Sequence, residues 1–325
     1  MSTAAPRKPA RRRGARAAVG ALAIAAIVAG SACSNGATGA NASLAAQPTD
    51  GDGDPIRVVA AENFWGSLAE QLGGDRVEVT SIIDSPDADP HDYEPTAADA
   101  RDAATARYAI VNGAGYDAWA EKLLASNPDP DRTVLDIGKL VGVEEGGNPH
   151  LWYSPDYVHR VIHRITEDYK EISPADAAYF DRQKNTVETK ALARYDQLVS
   201  EIRQKYGGTP IGASESIVTP LAEGLDLKVL TPESFLDAIS EGVDPTGRDK
   251  AVVDRQIAEK EIKVYVYNSQ NSTPDVRAQV EAARGEGIPV ATVTETLTPA
   301  GASFQEWQVA QLQVIRQALA EATGR

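Results

Sequence analysis

The chain has 325 residues, with 32 basic and 47 acidic side chains, a formal net charge of −15, and one cysteine. The acidity argues against a nucleic acid or an anionic membrane surface as a partner held by charge. A lone cysteine excludes an internal disulfide, so stability must come from a buried core, and the length suffices for two lobes of ordinary size.

In chain order, Arg7, Lys8, Arg11, Arg12, Arg13 and Arg16 form a basic start without an acid, followed by an apolar run from Ala17 to Ala29. That run is too short to span a bilayer as a mature helix, so residues 1–32 read as a signal peptide. Without them the body carries 26 basic against 47 acidic side chains, a net −21. Gly30-Ser31-Ala32 before Cys33 reads as a bacterial lipobox, in which Cys33 is lipidated and anchors an exported chain to the outer face of the cell membrane. Gly30 stands where such a box usually has Leu, and plain cleavage after Ala32 is the alternative. Residues 33–54, rich in Ser, Asn, Gly, Ala, Thr and Asp, read as a flexible tether carrying that cysteine.

From residue 55 short β-rich runs alternate with helical stretches. Strands are predicted at Ile56–Ala61, Val77–Ile83, Tyr108–Gly113 and Thr133–Ile137, with an amphipathic helix to about Leu72 after the first. Ser154-Pro155 and Ser173-Pro174 each supply a helix start, an N-cap followed by an N1 proline. The second helix keeps apolar residues (Phe180, Val187, Leu192, Tyr195, Val199, Ile202, Tyr206) on one face over roughly 32 residues, about 48 Å. Such a rod is too long for a crossover inside one small domain. The rhythm returns with strands at Pro210–Ser214, Leu227–Leu230, Ile262–Tyr267 and Ile288–Val293, and a last helix from about Ser303 to Ala322. The expected fold is α/β: an N-terminal parallel-sheet lobe over 55–172, a linking helix over 173–206, and a second parallel-sheet lobe over 207–325.

Four side chains stand at the C-terminal ends of predicted strands, where parallel sheets bind ligands. His91 follows the second strand in Asp89-Pro90-His91-Asp92-Tyr93-Glu94-Pro95-Thr96, and His150 follows the fourth in Asn148-Pro149-His150-Leu151-Trp152. Glu215 follows the first strand of the second lobe, and Glu295 its last. Two imidazoles and two carboxylates from facing lobes suit a borderline divalent ion such as Zn²⁺ or Mn²⁺; Ca²⁺ and Mg²⁺ want oxygens alone. For either glutamate alone, a helix N-terminal carboxylate is the competing reading. His159 and His163 also have a chelating spacing but read as a solvated or packing face, since no Glu stands between them.

These motifs, with Gly74-Asp75-Arg76-Val77-Glu78-Val79, Tyr267-Asn268-Ser269-Gln270 and Thr292-Val293-Thr294-Glu295-Thr296-Leu297, resemble the cluster A-I solute-binding lipoproteins of bacterial zinc and manganese ABC importers. The resemblance covers about residues 55–323. It implies two α/β lobes bridged by one long helix, metal ligands at His91, His150, Glu215 and Glu295, and delivery to a membrane permease. Zinc-type members often carry a third His where Glu215 stands, and a His-rich loop where this chain has Val143-Glu144-Glu145-Gly146-Gly147-Asn148. The expected function is a monomeric receptor that captures Zn²⁺ or Mn²⁺, with the lean to Zn²⁺, and is not an enzyme. The rivals are a metal-holding surface adhesin or structural lipoprotein, and a metallohydrolase using one Glu as general base.

Overall fold

The strand β1 (Ile56–Glu62) is buried from Val58 onward, as befits the centre of a parallel sheet covered on both faces. A computed structural model describes residues 53–85 and 93–325 of the chain. β1 leads into helix α1 (Asn63–Gly73), which buries Phe64, Trp65, Leu68, Ala69 and Leu72 along one face. β2 (Val77–Ile83) returns parallel beside β1, with Val58 opposite Val79. Helix α2 (Ala97–Thr105) starts at a capping box in which Thr96 and Asp99 satisfy each other's backbone N–H. Then come β3 (Tyr108–Val111), α3 (Ala118–Ser126), β4 (Thr133–Asp136) and the short α4 (Ile137–Val141). All pairings are parallel, in the order β2-β1-β3-β4.

Helix α5 (Pro155–Ile172) starts with its proline at N1 as the sequence predicts, although the Ser154 side chain makes no capping bond. The rod expected over 173–206 is helical but not one unbroken α-helix. It opens as a 3₁₀ turn, Pro174–Asp176, continues as α6 (Ala177–Thr186), passes through a π-helical segment, Val187–Ala191, and ends as α7 (Ala193–Tyr206). The reason lies in the spacing of the apolar residues. Val187 and Leu192 are both buried and five positions apart, which in an α-helix would set them about 140° apart around the axis. The wider turn, closed by Leu192 N–H donating to the Val187 carbonyl at 2.8 Å, returns both to the core face.

The second lobe repeats the first. β5 (Pro210–Ala213), α8 (Val218–Gly224), β6 (Lys228–Val229), α9 (Glu233–Ser240), α10 (Gly247–Ala258), β7 (Val264–Asn268), α11 (Pro274–Gly285) and β8 (Val290–Val293) follow in turn. The sheet is parallel with the order β6-β5-β7-β8, the same as in the first lobe. Helix α12 (Phe304–Thr323) begins at a second capping box, Ser303 with Glu306, and packs against α7. The strand expected from Ile288 starts only at Val290, past a proline that has no N–H to give to a ladder.

The lobes share one core. A single apolar cluster runs from Val58, Phe64 and Trp65 through Tyr169, Phe180 and Tyr195 to Ile211, Val266, Trp307 and Leu319. Phe64 of the first lobe stacks at 6.4 Å on Trp307 of α12, and the Ser67 hydroxyl accepts the Phe304 N–H at 3.0 Å. Among the described residues no helix is long and apolar enough to cross a membrane.

Candidate metal centre

His150 sits just before the 3₁₀ turn Leu151–Tyr153, and its imidazole is 2% exposed. The ring is held edge-on by aromatic neighbours, Trp152 at 5.4 Å and Tyr116 at 6.2 Å, and Trp152 in turn stacks on Phe64 at 4.1 Å. Polar anchors fix the backbone. Asn112, at the end of β3, donates to the Pro149 carbonyl at 2.8 Å and accepts from the Trp65 indole at 3.0 Å. Asn148 accepts from both the His150 backbone N–H, at 3.1 Å, and its ring Nδ1, at 2.8 Å.

Across the cleft, Glu295 follows β8 in a loop pinned by Gln270, whose Oε1 accepts from the Glu295 and Thr296 N–H groups at 2.5 and 3.1 Å. The Glu295 carboxylate receives the Tyr116 hydroxyl at 3.1 Å on Oε1 and the Asn268 amide at 3.3 Å on Oε2. Burial and the carboxylates of Glu295 and Glu62 push the Tyr116 phenol well above its usual range, so it remains a donor. His150 Nε2 faces Glu295 Oε1 at 3.7 Å. That exceeds hydrogen-bond length. It is close to the roughly 3.4 Å that separates two donors of one tetrahedral ion bound at about 2.1 Å.

Glu215 is also buried, 2% exposed, in the turn after β5, and its Oε2 takes the Asn271 amide at 2.6 Å. Among the described residues no three His, Cys, Asp or Glu side chains gather as a group that could hold a metal. What the structure brings together is the pair His150–Glu295, while the turn that carries Glu215 is tied to the His150 loop through Ser216, whose carbonyl takes the Asn148 amide at 2.7 Å. His91 and Cys33 lie outside the described residues. The other two histidines face the linking helix. His159 is 3.0 Å from Asp196 and His163 is 3.4 Å from Glu188, and hydrogen bonding to Asp196 raises the His159 pKa.

Several positions in the candidate site had little sequence signal. Tyr116 and Asn271 touch the carboxylates from loops without any metal-ligand motif, whereas Asn268, at the end of β7, lies in the Tyr267-Asn268-Ser269-Gln270 motif. Glu62, the last residue of β1, and Asp117, just before α3 with its carboxylate on the Asn112 and Gly113 N–H groups past β3, form a buried carboxyl pair. Burial first, then Asp117, raises the Glu62 pKa well above the ordinary range, and burial lifts Asp117 to about 6. A glutamate closing the otherwise apolar run Val58–Ala61 was the one available sign.

Comparison with known proteins agrees with this architecture. Among solved structures, a periplasmic metal-binding protein from Candidatus Liberibacter asiaticus superposes with a TM-score of 0.68 at 19% identity, covering 81% of this chain and 98% of that one. At that identity the likeness is one of fold. The manganese-binding lipoprotein MntA of Halalkalibacterium halodurans is 27% identical over 137 residues, 41% of this chain and 45% of the relative. The iron-binding protein YfeA of Yersinia pestis is 31% identical over 144 residues, 42% of this chain and 46% of the relative. The chain thus spans about half the length of these curated relatives. With MntA of Bacillus subtilis the match is longer, 25% identity over 246 residues, 72% of this chain and 78% of the relative. The model of the family described as zinc-uptake complex component A, periplasmic (ZnuA), matches residues 58–318, most of the folded body, and the chain belongs to that family.

Proposed function

We propose that this protein is an extracytoplasmic receptor that captures Zn²⁺ or Mn²⁺ as cargo and delivers it to the permease of an ABC importer. The observation that carries the reading is the buried imidazole of His150 opposite the carboxylate of Glu295, from facing lobes, at a spacing suited to one shared ion. His91 and Glu215 complete the proposed set of two nitrogen and two carboxylate ligands, a shell that suits both metals and leans to Zn²⁺ by the usual affinity order. Relatives described as manganese- and iron-binding support capture of a transition ion in general. Four protein ligands leave no open position for a metal-bound water, so the reading is capture and release without a reaction. In the same proposal residues 1–32 are a leader, Cys33 carries the lipid anchor, and the folded body acts as a monomer over 55–172, 173–206 and 207–325.

The test is calorimetric titration of the metal-stripped protein with Zn²⁺ and with Mn²⁺, beside His150→Ala and Glu295→Ala. One ion per chain, bound by the wild type and lost in both variants, is the expected result. Stoichiometric binding that survives both substitutions would refute the centre.

A further inference from the structure

We propose that Asn148 is a positioning residue with two jobs: it fixes which nitrogen of His150 points at the cargo, and it ties that imidazole to the opposite lobe. For the use of the nitrogen that faces the cargo, the proposal rests on the receptor reading above. Two backbone groups beside the Asn148 amide have a polarity that is not open to choice. The atom of Asn148 that lies 3.1 Å from the His150 backbone N–H must be the side-chain oxygen, because a backbone N–H only donates. The other end of the amide lies 2.7 Å from the Ser216 carbonyl, which only accepts, so it must be the nitrogen. Two independent backbone groups therefore orient the amide the same way.

The consequence falls on the ring. The same Asn148 oxygen is 2.8 Å from His150 Nδ1, so Nδ1 has to be the donor and the neutral imidazole carries its proton there. Nε2 is left with its lone pair toward Glu295 Oε1, 3.7 Å away, two acceptors at a spacing that one cation could bridge. The cross-lobe bond has a firm recipient. Ser216 directly follows Glu215, and its N–H and hydroxyl are both held by the Ser240 hydroxyl at 3.1 and 2.8 Å, at the end of α9. One amide thus joins the imidazole of one lobe to the turn that carries a carboxylate of the other.

Two substitutions separate the jobs. Asn148→Ala removes both bonds. Asn148→Asp keeps an acceptor for Nδ1 but turns a carboxylate oxygen on the Ser216 carbonyl. We would record long-range proton–nitrogen NMR correlations of histidine-labelled, metal-free protein at pH 8, then amide hydrogen exchange over the Ser216–Thr219 turn, then Zn²⁺ calorimetry. The expected result has the His150 proton on Nδ1 in the wild type and in Asn148→Asp, and distributed over both nitrogens in Asn148→Ala. Exchange at Val218 and Thr219 speeds up about tenfold in both variants, the loss of one hydrogen bond. Zn²⁺ binds about 10–100-fold more weakly in Asn148→Ala. A wild-type proton on Nε2, or an Asn148→Ala ring identical to wild type, overturns the first job; unchanged exchange in Asn148→Asp overturns the second. A wild type that binds no Zn²⁺ defeats the receptor reading instead, and the two metal-free measurements still decide the role of Asn148.

Discussion

Replacing Asp117 by asparagine should flatten part of the pH dependence of stability. The carboxylate accepts the Asn112 N–H at 2.7 Å and the Gly113 N–H at 2.8 Å, and Gly113 reaches it from a backbone φ of +71° that favours glycine. Burial outweighs those bonds and lifts the Asp117 pKa from 3.8 to about 6. The folded state therefore holds this proton more tightly than the unfolded chain does. The stabilising contribution is complete below about pH 4 and is lost as pH rises through about 6. The gap corresponds to about 3 kcal/mol. The asparagine variant would carry no such titration, and its amide nitrogen opposite one N–H costs a pH-independent penalty of about 1–3 kcal/mol. Urea unfolding of wild type and Asp117→Asn between about pH 4 and 7.5, with chelator present to exclude metal linkage, gives two curves of stability. The wild-type advantage should fall by about 2–3 kcal/mol as pH rises across that interval, to zero or to a small advantage of the variant. Parallel curves would show that Asp117 titrates normally and would refute the argument from burial.

Three further outcomes are expected. Trp152→Ala removes the ring stacked at 4.1 Å on Phe64 and should lower stability by about 3–5 kcal/mol, read from the urea midpoint, and weaken metal binding with it. Tyr116→Phe deletes the hydroxyl on Glu295 Oε1 and should weaken Zn²⁺ binding about 10–100-fold by calorimetry while the fold persists by circular dichroism. The double change His159→Ala with His163→Ala should leave metal stoichiometry intact and cost no more than about 1 kcal/mol at about pH 5.5, since both ion pairs are partly exposed; loss of a bound ion would instead make that helix face a site.

Most of the fold was legible because strand and helix periods differ and the prolines and glycines punctuate them. Val58–Ala61 and Tyr108–Val111 are continuous apolar runs, which only a strand buried on both faces tolerates. The π segment was legible in principle, since Val187 and Leu192 break the three-four spacing of the helix that carries them. The candidate site was legible only where a ligand type sits in a motif. His150 announces itself after Asn148-Pro149, whereas Tyr116 and Asn271 act through tertiary neighbours far apart in sequence, and nothing local marks a residue whose partner is Glu295 or Glu215. The same holds for the buried pair of Glu62 and Asp117, which are brought together because β1 and β3 are neighbours and the Asp117 carboxylate folds back on the Asn112 and Gly113 N–H groups past β3.

Under the proposed function, the shared core decides how an ion would enter and leave. Loops that follow the strands of the two sheets meet one another, Tyr116, Asn148 and His150 of the first lobe with Glu295 and Ser216 of the second, while α7 packs on α12 and α6 on α1. A wide hinge motion would have to wet Phe64 and Trp307, which are buried against each other across the two lobes. Two such rings bury roughly 300–500 Å², about 7–12 kcal/mol at ~25 cal/mol per Å². That is comparable with the whole stability of an ordinary domain. Loop movement costs far less, because the cleft loops are tied by a few hydrogen bonds: Asn148 to Ser216, Tyr153 to Thr294, and Tyr116 to Glu295. At about 1 kcal/mol net for each such bond, loosening them is accessible where opening the core is not. Under the proposed function, exchange of the ion would then belong to the loops that carry His150 and Glu295, with the lobes as the fixed frame that returns those loops to register.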